Sequence, residues 1–170
     1  MSENTATPVA EKEAEKKPAA KKVKYSNPFS YTHPLQSKFV NCLMKDGKKT
    51  VAQRIMRDTF DEMNRRGSED PLKDFEDAIR NATPNMEVKP KRIGGGVYQI
   101  PMEVTPNRQR TLPIRWILEG ARKRSGIPMY RRLASELMDA ASDAGYAVSK
   151  KEEAHKMAQA NKAFAHLARY

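Results

Sequence analysis

Along most of this chain apolar side chains return every three or four residues, but between Met86 and Val104 the interval drops to two. The first spacing lines one face of a helix and the second one face of a strand. The fold must therefore be mainly α, with one short β element set among helices. Leu35, Phe39, Cys42 and Leu43 form the first stripe, which "DGKK" from Asp46 ends. Val51, Ile55, Met56, Thr59, Phe60 and Met63 form the second, and Gly67 stands where a left-handed residue would close that helix. A third helix is predicted from Pro71, burying Leu72, Phe75 and Ile79 and ending before Pro84.

The two-residue interval belongs to "MEVKPKRI" and "VYQIPMEV", which flank the glycines, and it puts Tyr98, Ile100, Met102 and Val104 on one face. This is a β-hairpin. Pro90 and Pro101 lack amide donors, so its strands cannot lie at the centre of a large sheet. Helices are predicted again in "RTLPIRWILEGARKRSG" and in "PMYRRLASELMDAASDAG", the latter with Tyr130, Leu133, Leu137 and Met138 on one side. The last helix is expected to start at Ser149, with Glu152 completing a capping box. The expectation is a single domain over residues 25–170, of about six helices with a protruding two-stranded β-hairpin at about 86–104. Residues 1–24, rich in Lys, Glu and Ala, are expected to be a disordered tail.

Charge narrows the function. Lys and Arg number 32 against 21 Asp and Glu, a net charge of +11, of which the tail supplies only +2 and the remainder +9. Such an excess in the folded part calls for a polyanionic partner. No apolar run approaches the roughly 20 residues of a membrane span and no early segment resembles a signal peptide, so a soluble, unsecreted protein is expected. One cysteine allows neither an internal disulfide nor a cysteine zinc site, and in "KFVNCLM" Cys42 reads as a small buried hydrophobe. His33, His155 and His166 are dispersed, and "EEAH" is not a two-histidine zinc motif, so no metal is expected. Glu152 and Glu153 suit the positive end of a helix.

"RIGGGVYQ" lacks the Lys-Ser/Thr of a P-loop, fails the dinucleotide spacing and runs into a strand, so its glycines read as a hairpin tip. With no catalytic constellation, neither an enzyme nor a cofactor is expected. Trp116 reads as a core residue; Tyr98 fits either packing or base stacking. The cations concentrate at particular elements: Lys89, Lys91 and Arg92 beside the hairpin tip, Arg108, Arg110 and Arg115 entering the fourth helix, Arg122, Lys123 and Arg124 leaving it. Lys and Arg at such density neutralise phosphates.

The motifs "KFVNCLMKDGKKTVA", "EVKPKRIGGGVYQIPMEV", "RWILEGARKRSG" and "MAQANKAFAH", in this order from about Leu35 to the C-terminus, resemble the family of the seventh protein of the small ribosomal subunit, in its bacterial form. The resemblance implies a cytoplasmic, ribosome-bound protein. It would bind the 3′ major domain of 16S rRNA, start assembly of the subunit head, and lie beside exit-site tRNA and mRNA and beside other proteins of the head and platform. Carried to matching positions, it implies rRNA contacts by Lys48, Lys49, Lys89, Lys91, Arg92, Arg115, Arg122, Lys123 and Arg124, and by His155, Lys156, Asn161 and Lys162. Arg92, Gly94, Gly95, Gly96 and Tyr98 would lie near the exit site. The chain departs from the family in its longer tail and at Thr105, where the family often has Arg; Arg108 and Arg110 would supply the rRNA contacts there. On the residues alone the rivals are a DNA-bending protein with a basic β-arm, disfavoured by a single arm and by charge spread over several elements, and an RNA-modifying enzyme, for which no catalytic group is visible.

Overall fold

A computed structural model describes residues 34–169 of the chain. Its elements run α1 (Pro34–Leu43), α2 (Lys49–Arg65), α3 (Pro71–Asn81), β1 (Met86–Ile93), β2 (Gly96–Glu103), α4 (Pro106–Lys123), α5 (Met129–Ala141) and α6 (Gly145–Ala160), followed by a 3₁₀ helix (Lys162–Arg169). The mainly α architecture with one hairpin is the expected one. The tail predicted over residues 1–24 lies outside the described residues, as does His33.

Local chemistry explains the ends of the first helices. Gly67 adopts φ +99°, its amide donates to the Asn64 carbonyl and the Ser68 amide to that of Met63, a Schellman closure of α2. At α3, the Asp70 carboxylate accepts from the amides of Leu72 and Lys73, while Pro71 occupies a first-turn position that needs no donor.

Helix α5 is the centre of the packing, touching α2, α3, α4 and α6. Phe75 is fully buried between two other rings, edge-on to Phe39 at 5.3 Å and to Phe60 at 5.9 Å between centroids. Met56, Met63, Ile114, Ile117, Leu133 and Leu137 fill the space around this aromatic cluster. Trp116 is partly buried against the same core, as its spacing suggested.

Three residues of the predicted stripes face outward instead. Val51 is 48% exposed and Leu72 37% exposed, each at the solvent edge of its helix's buried arc. Cys42 is also exposed, because the buried arc of α1 runs through Gln36, Phe39, Val40 and Leu43. At about 100° per residue Cys42 falls outside that arc.

The last helix corrects a second expectation. It begins at Gly145 rather than Ser149, and the Ser149 hydroxyl donates to the Gly145 carbonyl, so the capping box does not form. The acceptor at this helix start comes from elsewhere in the chain: the Glu136 carboxylate of α5 takes the Ala147 amide at 3.2 Å. Helix α4 also begins earlier than its pattern suggested, at Pro106, and carries Pro113 buried in its interior.

The hairpin pairs Met86 with Glu103 through to Ile93 with Gly96, turning on Gly94 and Gly95 with φ of +56° and +91°. Both are positive, as a type I′ turn requires. Burial falls along the shared face from Val104 (5%) and Ile100 (1%) to Tyr98 (38%), so the ribbon is anchored at its base and protrudes at its tip. It is not bare on both sides. β1 packs against α6 and β2 against the 3₁₀ helix, where the Tyr98 ring meets Phe164 at 5.5 Å.

The aromatic cluster and the edge positions differ in what they contribute to stability. Phe75→Ala should cost about 3–5 kcal/mol and Leu72→Ala about 1 kcal/mol or less. Urea unfolding curves of the two variants test this; equal losses would contradict the burial pattern.

Candidate nucleic-acid interface

The turn between α1 and α2 brings two left-handed residues, Asp46 (φ 52°) and Gly47 (φ 71°), into the "KDGKK" stretch. It folds back so that the Lys48 amide donates to the Lys45 carbonyl at 3.0 Å. Helix α2 then starts behind Lys48 with no side-chain cap, and α5 starts behind Pro128 with none either. Uncapped first turns leave amide hydrogens pointing outward at the positive end of the helix dipole, which favours anions.

Both helix starts border one open cleft of about 470 Å³. Its floor is apolar, formed by Met44, Val51, Ile55 and Met129. Its rim is cationic: Lys45 and Lys48 from the first turn, Arg122 from the end of α4, and Arg132 from α5. Among the described residues no acidic side chain lines it. Lys48 and Arg122, far apart in sequence and both implied as rRNA contacts, thus meet at one site. Lys45 and Arg132 were missed by sequence reasoning. Lys45 sits inside the recognised "KDGKK" motif, but nothing in "YRRL" separates Arg132 from the neighbouring Arg131.

The other cations divide by what they touch. Lys49, Lys91, Arg92, Arg110, Arg115, Lys156 and Lys162, like Lys48 and Arg122, form no ion pair with another described residue. Lys156 and Lys162 lie near the hairpin's supporting elements rather than at the cleft, and Arg92 lies at the hairpin tip opposite Val97. The tip glycines are open: a Cβ added at Gly94 or Gly95 would meet nothing within 4 Å, whereas one at Gly96 would meet the Tyr98 ring at 3.1 Å.

The remaining residues hold the fold together. Arg124 donates to Glu136 at 2.8 Å and to Asp139 at 2.6 Å. The Asp139 hydrogen bond raises its pKa above the ordinary guanidinium value; desolvation opposes this and Glu136 adds to it. Arg108, expected as an rRNA contact, donates to Glu87 at the hairpin base, where Lys89 also pairs at 3.3 Å. Lys123 lies over the Tyr146 ring at 4.1 Å, with its ammonium 3.0 Å from the phenol oxygen. His155 accepts the Asn85 amide through Nε2 at 3.2 Å, fastening the hairpin to α6, and Asn161 caps α6 by donating to the Met157 carbonyl. Among the described residues no group of three or more His, Cys, Asp or Glu could hold a metal, and no helix is long and apolar enough to cross a membrane.

This division predicts opposite phenotypes for neighbouring arginines. Arg124→Ala leaves a buried carboxylate short of its cation and should cost about 1–3 kcal/mol of stability. Arg122→Ala should change stability by no more than about 0.5 kcal/mol. Chemical denaturation distinguishes them, and a loss at Arg122 as large as that at Arg124 would refute the assignment.

The comparisons with known proteins agree on one family. Residues 10–162 match the family model described as ribosomal protein S7p/S5e. The small ribosomal subunit protein uS7 of Clostridium tetani is 54% identical over 80% of this chain and 87% of its own length. The proteins of that name from Clostridium kluyveri and Thermoanaerobacter sp. (strain X514) are 52% and 51% identical over the same shares. A chain matched by one family model over nearly all of its helical domain, and about half identical to relatives across four-fifths of itself, belongs to the ribosomal protein S7p/S5e family.

Proposed function

We propose that this protein is an rRNA-binding constituent of the small ribosomal subunit, that it holds the 3′ major domain of 16S rRNA through the cleft between α2, α4 and α5, and that it nucleates assembly of the subunit head. The observation that carries this reading is the convergence of Lys45, Lys48, Arg122 and Arg132 with two uncapped helix starts around a single concave surface. Such a surface engages a folded phosphate backbone by position and shape, without needing base-edge contacts. The protein's part is structural rather than enzymatic. Family membership leaves the DNA-bending and RNA-modifying readings without support.

The hairpin takes a separate role in this proposal. Its base is fixed by Glu87, Arg108 and His155, while Arg92 and the glycine turn extend beyond the packed part toward exit-site tRNA and mRNA. Neighbouring proteins of the head and platform complete the surroundings. The positioning work falls to the helices and the reaching to the ribbon.

Two measurements test the two halves. For the cleft, the doubly substituted Lys48→Ala, Arg122→Ala protein should bind a transcript of the 3′ major domain more weakly, with its logarithmic salt slope reduced by roughly 0.7–0.9 unit for each phosphate no longer neutralised. An unchanged slope and affinity would remove the cleft from the interface. For the ribbon, deleting Arg92, Ile93, Gly96 and Val97 joins the Lys91↔Tyr98 pair directly to the Gly94–Gly95 turn. This shortens the arm by about 7 Å without inverting its faces and keeps Tyr98 beside Phe164. Head assembly in reconstituted subunits should survive, while retention of exit-site tRNA falls; failure to assemble, or no effect on either, would end this division of roles.

A further inference from the structure

The cations at the cleft account for phosphate binding, but they leave its floor unexplained. Val51 is 48% exposed, and with Met44, Ile55 and Met129 it forms an apolar surface inside a ring of positive charge. Phosphates gain nothing from such a floor. In a nucleic acid held by Lys45, Lys48 and Arg122, the largest apolar surfaces are the faces of the bases, and within a helix those faces are already stacked on their neighbours.

We infer that the cleft receives one unpaired, unstacked nucleotide of the bound RNA, its base lying on Val51, Ile55, Met44 and Met129 and its flanking phosphates on the cationic rim. This deepens the rRNA-binding reading and rests on it. The volume, about 470 Å³, falls within the range of pockets that enclose small ligands. The two methionines can adjust to the outline of a ring, and the guanidinium of the exposed Arg122 offers further stacking surface at the rim. Charge selects this occupant over an apolar segment of another protein, since the described residues of the rim include four cations and no carboxylate to meet such a segment's own basic residues. Apart from the weak thioether sulfurs of Met44 and Met129, the described lining side chains carry no hydrogen-bond acceptor, so the base is held by its faces and its identity matters little.

The base and phosphate contributions separate by salt. Val51→Ser removes apolar surface from an exposed position without touching a charge, so it should weaken binding to the 3′ major domain transcript about three- to tenfold while leaving the salt slope unchanged. Val51→Ile should restore or strengthen binding. Replacing Val51 with a photo-crosslinking benzoylphenylalanine should label a single nucleotide that is unpaired in the free RNA. Removing the base at that nucleotide should reproduce the Val51→Ser loss, and exchanging it for another base should not. Unchanged affinity in Val51→Ser, a crosslink to paired RNA or to another protein, or no crosslink at all would overturn the inference. If binding also proved indifferent to Lys48→Ala, Arg122→Ala, the broader rRNA-binding assignment of the cleft would fail with it; if only the Val51 results failed, that assignment would stand.

Discussion

The carboxylate of Glu136 is almost wholly buried, 1% exposed, in the middle of the helix around which the others pack. A lone charge there would cost several kcal/mol, and the surroundings answer it from two directions and make room for it on a third. Arg124 reaches in from the segment after α4, the Ala147 amide donates from the first turn of α6, and Gly120 lies so close that a Cβ there would come within 2.7 Å of Oε1. One side chain thus ties α4, α5 and α6 together. The Arg132 guanidinium donates to the Arg124 carbonyl at 2.6 Å, so the same node fixes the connection between α4 and α5, on whose two sides Arg122 and Arg132 make up half of the cationic rim. A positive rim built on mobile loops would scatter in water; here an internal ion pair holds its Arg122 and Arg132 side in place.

That arrangement divides the basic residues into two populations that composition alone cannot separate. Arg124, Arg108, Lys89 and Lys123 meet carboxylates or an aromatic ring of the protein itself and define its shape. Lys48, Arg122, Arg110, Arg115 and Arg92 carry charge that no described acidic side chain neutralises. Exposed ion pairs contribute little to stability in any case. The unpaired cations therefore cost the fold little and remain available to a polyanion. The ribbon follows the same logic: Glu87, 8% exposed, gathers Arg108 and Lys89 at its base, and Arg92 at its tip is left open.

Much of this organisation was legible in the residues. The period of three and four required helices, the period of two around Gly94 and Gly95 required a hairpin, Gly67 and Pro71 marked helix ends through their own backbone constraints, and the net charge of +9 outside the tail called for a polyanion. Each of these depends on interactions spanning a few residues, or on none at all. The tertiary structure decided the rest: that α6 starts at Gly145, because its acceptor comes from Glu136 on another helix; that Arg124 and Arg108 are held by buried carboxylates; and that Arg132 joins Lys48 at a cleft. Periodicity tells which face of a helix turns inward, but a charge is committed or free according to what packing brings within about 3 Å of it, and those neighbours lie on other elements, at separations to which no local pattern is sensitive.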